Sequence, residues 1–189
     1  MSHMPCKRRH RGYTLLELLI VMSIVAILAM IAEPGFQYVT NSNRVATEVN
    51  SLLGDVLFAR SEAVKEGQTV TICSSTDGQT CSGSIDWQNG WIVFLDTNGD
   101  HVVQAPGEAV IRVQPQFTST DTFVSTDAPT PFTYLTFNRL GYAPTNETAT
   151  INVSLHDATS NKNWTRCLAV NPIGGAVTER YNNGTPPCT

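Results

Sequence analysis

The sequence predicts an α+β protein: one long N-terminal helix, with a membrane half and an amphipathic half, packed on antiparallel β-sheets. Three observations carry that prediction. Residues Tyr13 to Ala32 are twenty consecutive positions with a single charge, Glu17. Apolar residues at helical spacing resume after Pro34 and continue to Lys65. From Gln68 onward, short β-branched and aromatic runs alternate with clusters of Asn, Gly, Pro and Asp.

The apolar run comes first in the chain. At about 1.5 Å per residue, twenty helical residues span about 30 Å, the thickness of one bilayer core. Lys7, Arg8, Arg9 and Arg11 precede it, and the first twelve positions hold no acid. Such a cluster stays on the cytoplasmic side, so the C-terminal side of the helix faces outward. A cleaved secretory signal would have a shorter apolar region followed by a small-residue cleavage site. Here the candidate processing site, Gly12, lies before the apolar run. Glu17 would sit about 6 Å along the helix from Tyr13. A carboxylate at the bilayer centre costs about 2.5–3.5 kcal/mol on insertion scales, and less near an end. A cut after Gly12 would create an α-amine at Tyr13, a cation suited to pair with Glu17 of a neighbouring copy.

The second helical half follows Pro34-Gly35, a pair that loosens or kinks a helix without ending it. Val39, Val45, Ala46, Val49, Leu52, Leu53, Val56, Leu57, Ala59, Ala63 and Val64 recur at three- and four-residue steps. Gly67 supplies the stop. One helix is therefore expected from about Thr14 to Lys65. The segments "TVTIC", "GWIVFLD", "AVIRVQ", "FTYLTFN", "ATINVSLHD" and "NWTRCLAVN" then read as strands, within a total of about six to eight. Thr118 to Pro131, rich in Ser, Thr, Asp and Pro, reads as a long exposed connection. "NPIGGAV", Asn171 to Val177, reads as a hairpin turn. No internal repeat or second domain is visible.

Composition narrows the function classes. The chain is 41% hydrophobic and 15% charged, which suits a folded domain rather than disorder. Beyond residue 12, 8 basic residues face 16 acidic ones, a balance that disfavours generic phosphate binding. Apart from Cys6, the cysteines fall as two local pairs, Cys73 with Cys81 and Cys167 with Cys188. In an exported domain two disulfides are the natural reading, although four cysteines allow three pairings. Asp96 to Asp100, "DTNGD", begins like an EF-hand loop. His101 then stands where that loop needs Gly, and position 12 is Gly107 with Glu108 one late. An Asn-Gly hairpin turn is the expected structure there, with no metal. No nucleophile, metal or phosphate-loop motif is present, so no catalytic residue and no cofactor is expected.

The N-terminal stretch "RGYTLLELLIVMSIVAILAMIAEP" resembles the signal of type IV pilins and pseudopilins. That resemblance implies a prepilin peptidase that cuts after Gly12 and methylates the new N-terminus at Tyr13. It makes Glu17 an assembly residue and Pro34 the helix-kink proline. The expected divisions are a cleaved leader (1–12), a transmembrane and filament-core helix (13–33) and a periplasmic globular domain (34–189). Further along, "ARSEAVKEGQTVTIC", "WQNGWIVFLDTNGD", "GEAVIRV" and "LTFNRLGYA" resemble the GspH/FimT/FimU group of minor pilins and pseudopilins. The implied fold is type IV pilin-like. The implied role is a structural subunit that primes assembly or forms the tip of a type IV pilus. Its expected partners are other pilins through the N-terminal helix, the prepilin peptidase, the inner-membrane assembly platform and the membrane itself. Two alternatives share the resemblance. One is a minor pseudopilin of type II secretion. The other is a DNA-binding subunit for DNA uptake, which in FimT-like members uses a basic Gly-Arg-x-Arg element. The corresponding stretch here, "GGAVTER", has Ala176 and Thr178 at the basic positions, so DNA is disfavoured as a partner. Arg139, Lys162, Arg166 and Arg180 remain the residues that could gather into a basic patch.

Overall fold

The structure, a computed structural model, describes residues 12–125, 132–143, 151–156, 159–181 and 188. Helix α1 runs from Leu15 to Glu66 and passes through Pro34. It crosses two compact units, Met1–Thr40 and Asn41–Thr189. Its end follows the sequence expectation: Gly67 adopts φ 66°, the left-handed conformation that closes a helix at low cost to glycine.

In the second unit, α1 buries Val45, Val49, Leu52, Val56, Ala59 and Ala63, all at 2% exposure or less. These positions step by four and three residues alternately, which keeps them on one stripe of the helix. Val39, Leu57 and Val64, which fit the same periodicity in sequence, are exposed instead. Eight strands follow: β1 (Val70–Ser74), β2 (Gly90–Leu95), β3 (Val110–Pro115), β4 (Thr122–Ser125), β5 (Tyr134–Phe137), β6 (Ile151–His156), β7 (Arg166–Val170) and β8 (Ala176–Arg180). They form two four-stranded antiparallel sheets, ordered β3-β2-β1-β5 and β4-β6-β7-β8.

Both sheets contribute to a single core with the helical stripe. Val70, Ile72, Trp91, Val93, Leu135 and Phe137 come from the first sheet, and Phe123, Val153, Leu155, Leu168 and Val170 from the second. Full burial of a side chain such as Leu52 contributes about 1.5–3 kcal/mol. The first sheet also buries its other face. Cys73, Ile92 and Phe94 pack there with Cys81, Val103, Val110 and Tyr134. That double burial explains why β2 reads as a continuous apolar run, and why Thr71 and Ser74 of β1 are buried as fully as its apolar residues.

Two expectations are corrected. The segment read as an exposed connection from Thr118 contains β4, with Phe123 fully buried beside Trp91 and Phe117; positions 126–131 lie outside the described residues. Its polar composition misleads because Asp121 and Ser125 are buried with partners. Asp121 holds Arg44 at 2.7 and 2.8 Å, and the Ser125 hydroxyl accepts the Phe132 amide. The second correction concerns "DTNGD". Asp96 to Ala109 is a long loop between β2 and β3, not a two-residue Asn-Gly hairpin. "NPIGGAV" does turn between β7 and β8, where Asn171 and Gly175 exchange backbone and side-chain bonds.

The helix is fastened to the sheets by polar anchors as well as by the core. The Asp55 carboxylate accepts the buried Trp91 Nε1–H at 2.8 Å and Arg112 at 2.6 Å. Arg60 donates to the carbonyls of Gly141 and Ile173. Arg44 pairs with Asp121, and Ser119 donates to Glu48 at 2.8 Å. The disulfides are Cys73–Cys81 and Cys167–Cys188, one per sheet. Between Cys73 and Cys81 the chain turns over Asp77. Bonds from the backbone amides of Gln79 and Thr80, with the Thr80 hydroxyl, hold that carboxyl well below the usual carboxylate range.

Candidate assembly helix

Gly12 and Tyr13 precede the first turn of α1 and are exposed, Tyr13 at 85%. Thr14 caps the helix. Its hydroxyl accepts the Glu17 amide at 3.2 Å, and its carbonyl accepts the Leu18 amide. Thr14-Leu15-Leu16-Glu17 is thus half of a capping box, a Ser/Thr-x-x-Glu signal carried by the sequence itself. Glu17 sits at the third helical position, where a negative charge also favours the positive end of the helix dipole. The group therefore has a structural role within its own chain besides any contact with a neighbour.

Beyond the cap, Leu15 to Ile31 expose their apolar side chains, none of the larger ones below 50%. The segment belongs to the one helix among the described residues that is long and apolar enough to cross a membrane. Its internal polar group is self-satisfied, with Ser23 Oγ donating to the Ile20 carbonyl at 2.8 Å. Glu33 marks the far end and accepts a bond from Gln37. Pro34 lies within α1.

Of the basic residues considered for nucleic acid, Arg166, Arg180 and Lys162 lie at one end of the β7–β8 hairpin and Arg139 lies apart. Arg166, 8% exposed, donates to the carbonyls of Asn163 and Thr165 and to Ser42. Arg180 stands opposite it in the β7–β8 register, and Lys162 lies over the Tyr181 ring. Arg139 instead belongs to the turn after β5, by an open cleft lined by Gly67, Gln68, Thr69 and Thr97. That turn packs on Gly174, at the opposite end of the β7–β8 hairpin. Five strand residues, about 17 Å, separate the two ends.

The acidic loop brings Asp96, Asp100 and Glu108 together, with one carboxylate oxygen of each within 4.8 Å of the others. Their oxygens are occupied by the protein itself. Asp96 accepts the Gly99 and His101 amides and the Thr71 hydroxyl. Glu108 accepts the Thr97 and Gln104 amides, and Asp100 accepts the Gln104 side chain. The arrangement is a hydrogen-bonded frame for the loop.

The family profile described as "Type II transport protein GspH" matches residues 48–174, more than half of the chain. The chain belongs to the GspH family. The profile of the prokaryotic N-terminal methylation motif matches residues 7–32, which include Gly12, Tyr13 and Glu17. Among solved structures, the type IV minor pilin FimU of Pseudomonas aeruginosa is similar in two crystal forms. One has a TM-score of 0.56 and 20% identity over 78% of this chain and 96% of FimU. The other has 0.53 and 21% over 78% and 99%. The minor pseudopilin EpsH from the type 2 secretion system of Vibrio cholerae has a TM-score of 0.47 and 10% identity, covering 72% and 96%. No curated protein matches the chain. As a GspH-family protein it is a minor pilin or pseudopilin, with the long helix and antiparallel sheets of type IV pilins. Within that family setting, the Ala-Arg-Ser-Glu-Ala segment acquires a physical explanation. Its Arg60 ties α1 to the Gly141 and Gly174 turns, and those glycines, at φ 76° and 80°, leave room for the guanidinium.

Proposed function

We propose that the chain is a minor pilin that primes assembly, or forms the tip complex, of a type IV pilus. It is made as a prepilin, cut after Gly12 by a prepilin peptidase and methylated at Tyr13. Residues 13–33 hold it in the inner membrane and then pack in the filament core, while residues 34–189 lie in the periplasm and later at the cell surface. It acts as a structural subunit rather than an enzyme. The observation that carries this reading is the N-terminal methylation motif running directly into a capped, fully exposed apolar helix. In an assembly, the α-amine of one mature subunit neutralises Glu17 of the next, which removes the cost of a lone carboxylate near lipid. The assembly platform recruits the subunit through the same membrane segment.

The family description favours one second reading, the corresponding pseudopilin of a type II secretion machine. Crosslinking in native membranes, with mass spectrometry of the mature chain and its partners, tests both. A chain beginning at methylated Tyr13 and crosslinked to pilins supports the proposal. Secretion pseudopilins as partners transfer it to the other machine, and a chain that retains its leader defeats both. A DNA-uptake role gains little from these residues, since Arg139 lies apart and Arg166 is buried against the Asn163 and Thr165 carbonyls.

A further inference from the structure

The groups around Glu48 do not balance. Arg44, one turn earlier on α1, engages Asp121 with two nitrogens, Nε at 2.7 Å and Nη2 at 2.8 Å, and turns its third toward Asn41. The Asp121 side chain is fully buried in this pair. Glu48 is 9% exposed and shares the same pocket. Ser119 donates to its Oε1, while its Oε2 is buried without any hydrogen-bond partner. The groups that face Glu48 are Arg44 from α1, and Ser119 and Asp121 from the segment leading into β4. One guanidinium cannot neutralise two carboxylates, and a proton on Glu48 removes the second charge and lets its carboxyl bond to the Asp121 carboxylate.

We infer that Glu48, Ser119 and Asp121 form a proton-operated clasp, which holds the segment Gln116–Ser125 on α1 when Glu48 is neutral and releases it when Glu48 ionises. The segment ends in β4, a four-residue strand that pairs along its length with β6 and is bridged on its other side, at Val124, by Asp86. Its other polar hold on α1 is the Arg44–Asp121 pair, while Phe117 and Phe123 pack on Trp91 and Phe123 joins the α1 stripe in the core. Burial, followed by the neighbouring Asp121 charge and opposed by the Ser119 bond, pushes the Glu48 carboxyl up to about 6. A raised value means that the closed state binds the proton more tightly than the open one. The proton's contribution to closing the clasp is therefore fully present below about pH 4.5 and is lost as pH rises through about 6. That difference corresponds to an opening equilibrium about 30-fold larger on the alkaline side.

Hydrogen–deuterium exchange of the full-length chain in detergent micelles tests this, with peptides covering Gln116–Ser125 and times scaled for the intrinsic pH dependence of amide exchange. Protection in this segment should fall up to about 30-fold between pH 4.5 and 7.5, while protection in Val70–Ser74 stays constant. In Glu48→Gln the protected state should persist at pH 7.5. In Asp121→Asn, which frees Arg44 to pair with Glu48, the transition should move to lower pH. A wild-type segment whose protection does not change with pH overturns the inference. So does a change shared equally by Val70–Ser74, a transition that survives in Glu48→Gln, or a midpoint unmoved in Asp121→Asn.

Discussion

Asp55 offers a quantitative test of how the helix is fastened. Its carboxylate serves two donors of different character. Trp91 Nε1 lies in a side chain that is 1% exposed, and Arg112 has a side chain that is 45% exposed. In Asp55→Ala the indole N–H has no acceptor in its dry surroundings, which costs about 1–3 kcal/mol. Losing the half-exposed ion pair adds only about 0.2–1 kcal/mol. A total of about 3 kcal/mol corresponds to a fall in Tm of about 6–12 °C for a domain of this size. A double-mutant cycle separates the two parts. In a Trp91→Phe background no N–H remains to be stranded, so Asp55→Ala should cost about 1 kcal/mol, a coupling energy of about 2 kcal/mol. In an Arg112→Ala background the coupling should stay below about 1 kcal/mol. Thermal unfolding followed by near-ultraviolet circular dichroism provides the readout. The reasoning fails if Asp55 couples more strongly to Arg112 than to Trp91, or to neither.

Two further predictions concern the loops. Reduction of the disulfides should lower Tm, with Cys167–Cys188 contributing about 3 kcal/mol from the loop it closes and Cys73–Cys81 somewhat less; a melting curve unchanged in reductant would contradict this. Gly174→Ala should be among the most damaging single methyl additions in the domain, since its Cβ would lie 2.0 Å from the Gly141 carbonyl oxygen at φ 80°. A loss of about 3 kcal/mol or more is expected, measured against Gly54→Ala on the open face of α1, which should cost nothing and gain up to about 1 kcal/mol from helix propensity.

The parts legible in the sequence share one property: their signal is contiguous. The N-terminal motif lies within residues 7–32, the helical stripe from Val45 to Ala63 has an unbroken 3–4 spacing, and Gly67 is the local stop. The parts that were missed depend on partners far along the chain. β4 hides because Asp121 finds its cation 77 residues away. Glu48, Asp55 and Arg60 look like ordinary solvated helix residues until Ser119, Trp91 and the Gly141 and Ile173 carbonyls stand beside them. β8, implied only by the hairpin turn before it, carries a weak signal for a different reason. It is an edge strand with exposed Val177, Thr178 and Arg180, so it carries no buried alternation to detect. The capping box at Thr14 is a contiguous signal too, overlaid in the same four residues by the charge of Glu17.

The anchors on α1 occupy positions 44, 48, 55 and 60, a stretch of about 24 Å along the helix. They grip different segments: the lead into β4, the β2–β3 pair, and the turns after β5 and β7. Tension applied along α1 would therefore load them in parallel, as in a lap joint, rather than one after another, as in a peeling tape. Several bonds and the apolar stripe would have to yield together before the sheets slid off the helix. Such a joint tolerates the loss of one fastening far better under force than its equilibrium stability alone would suggest.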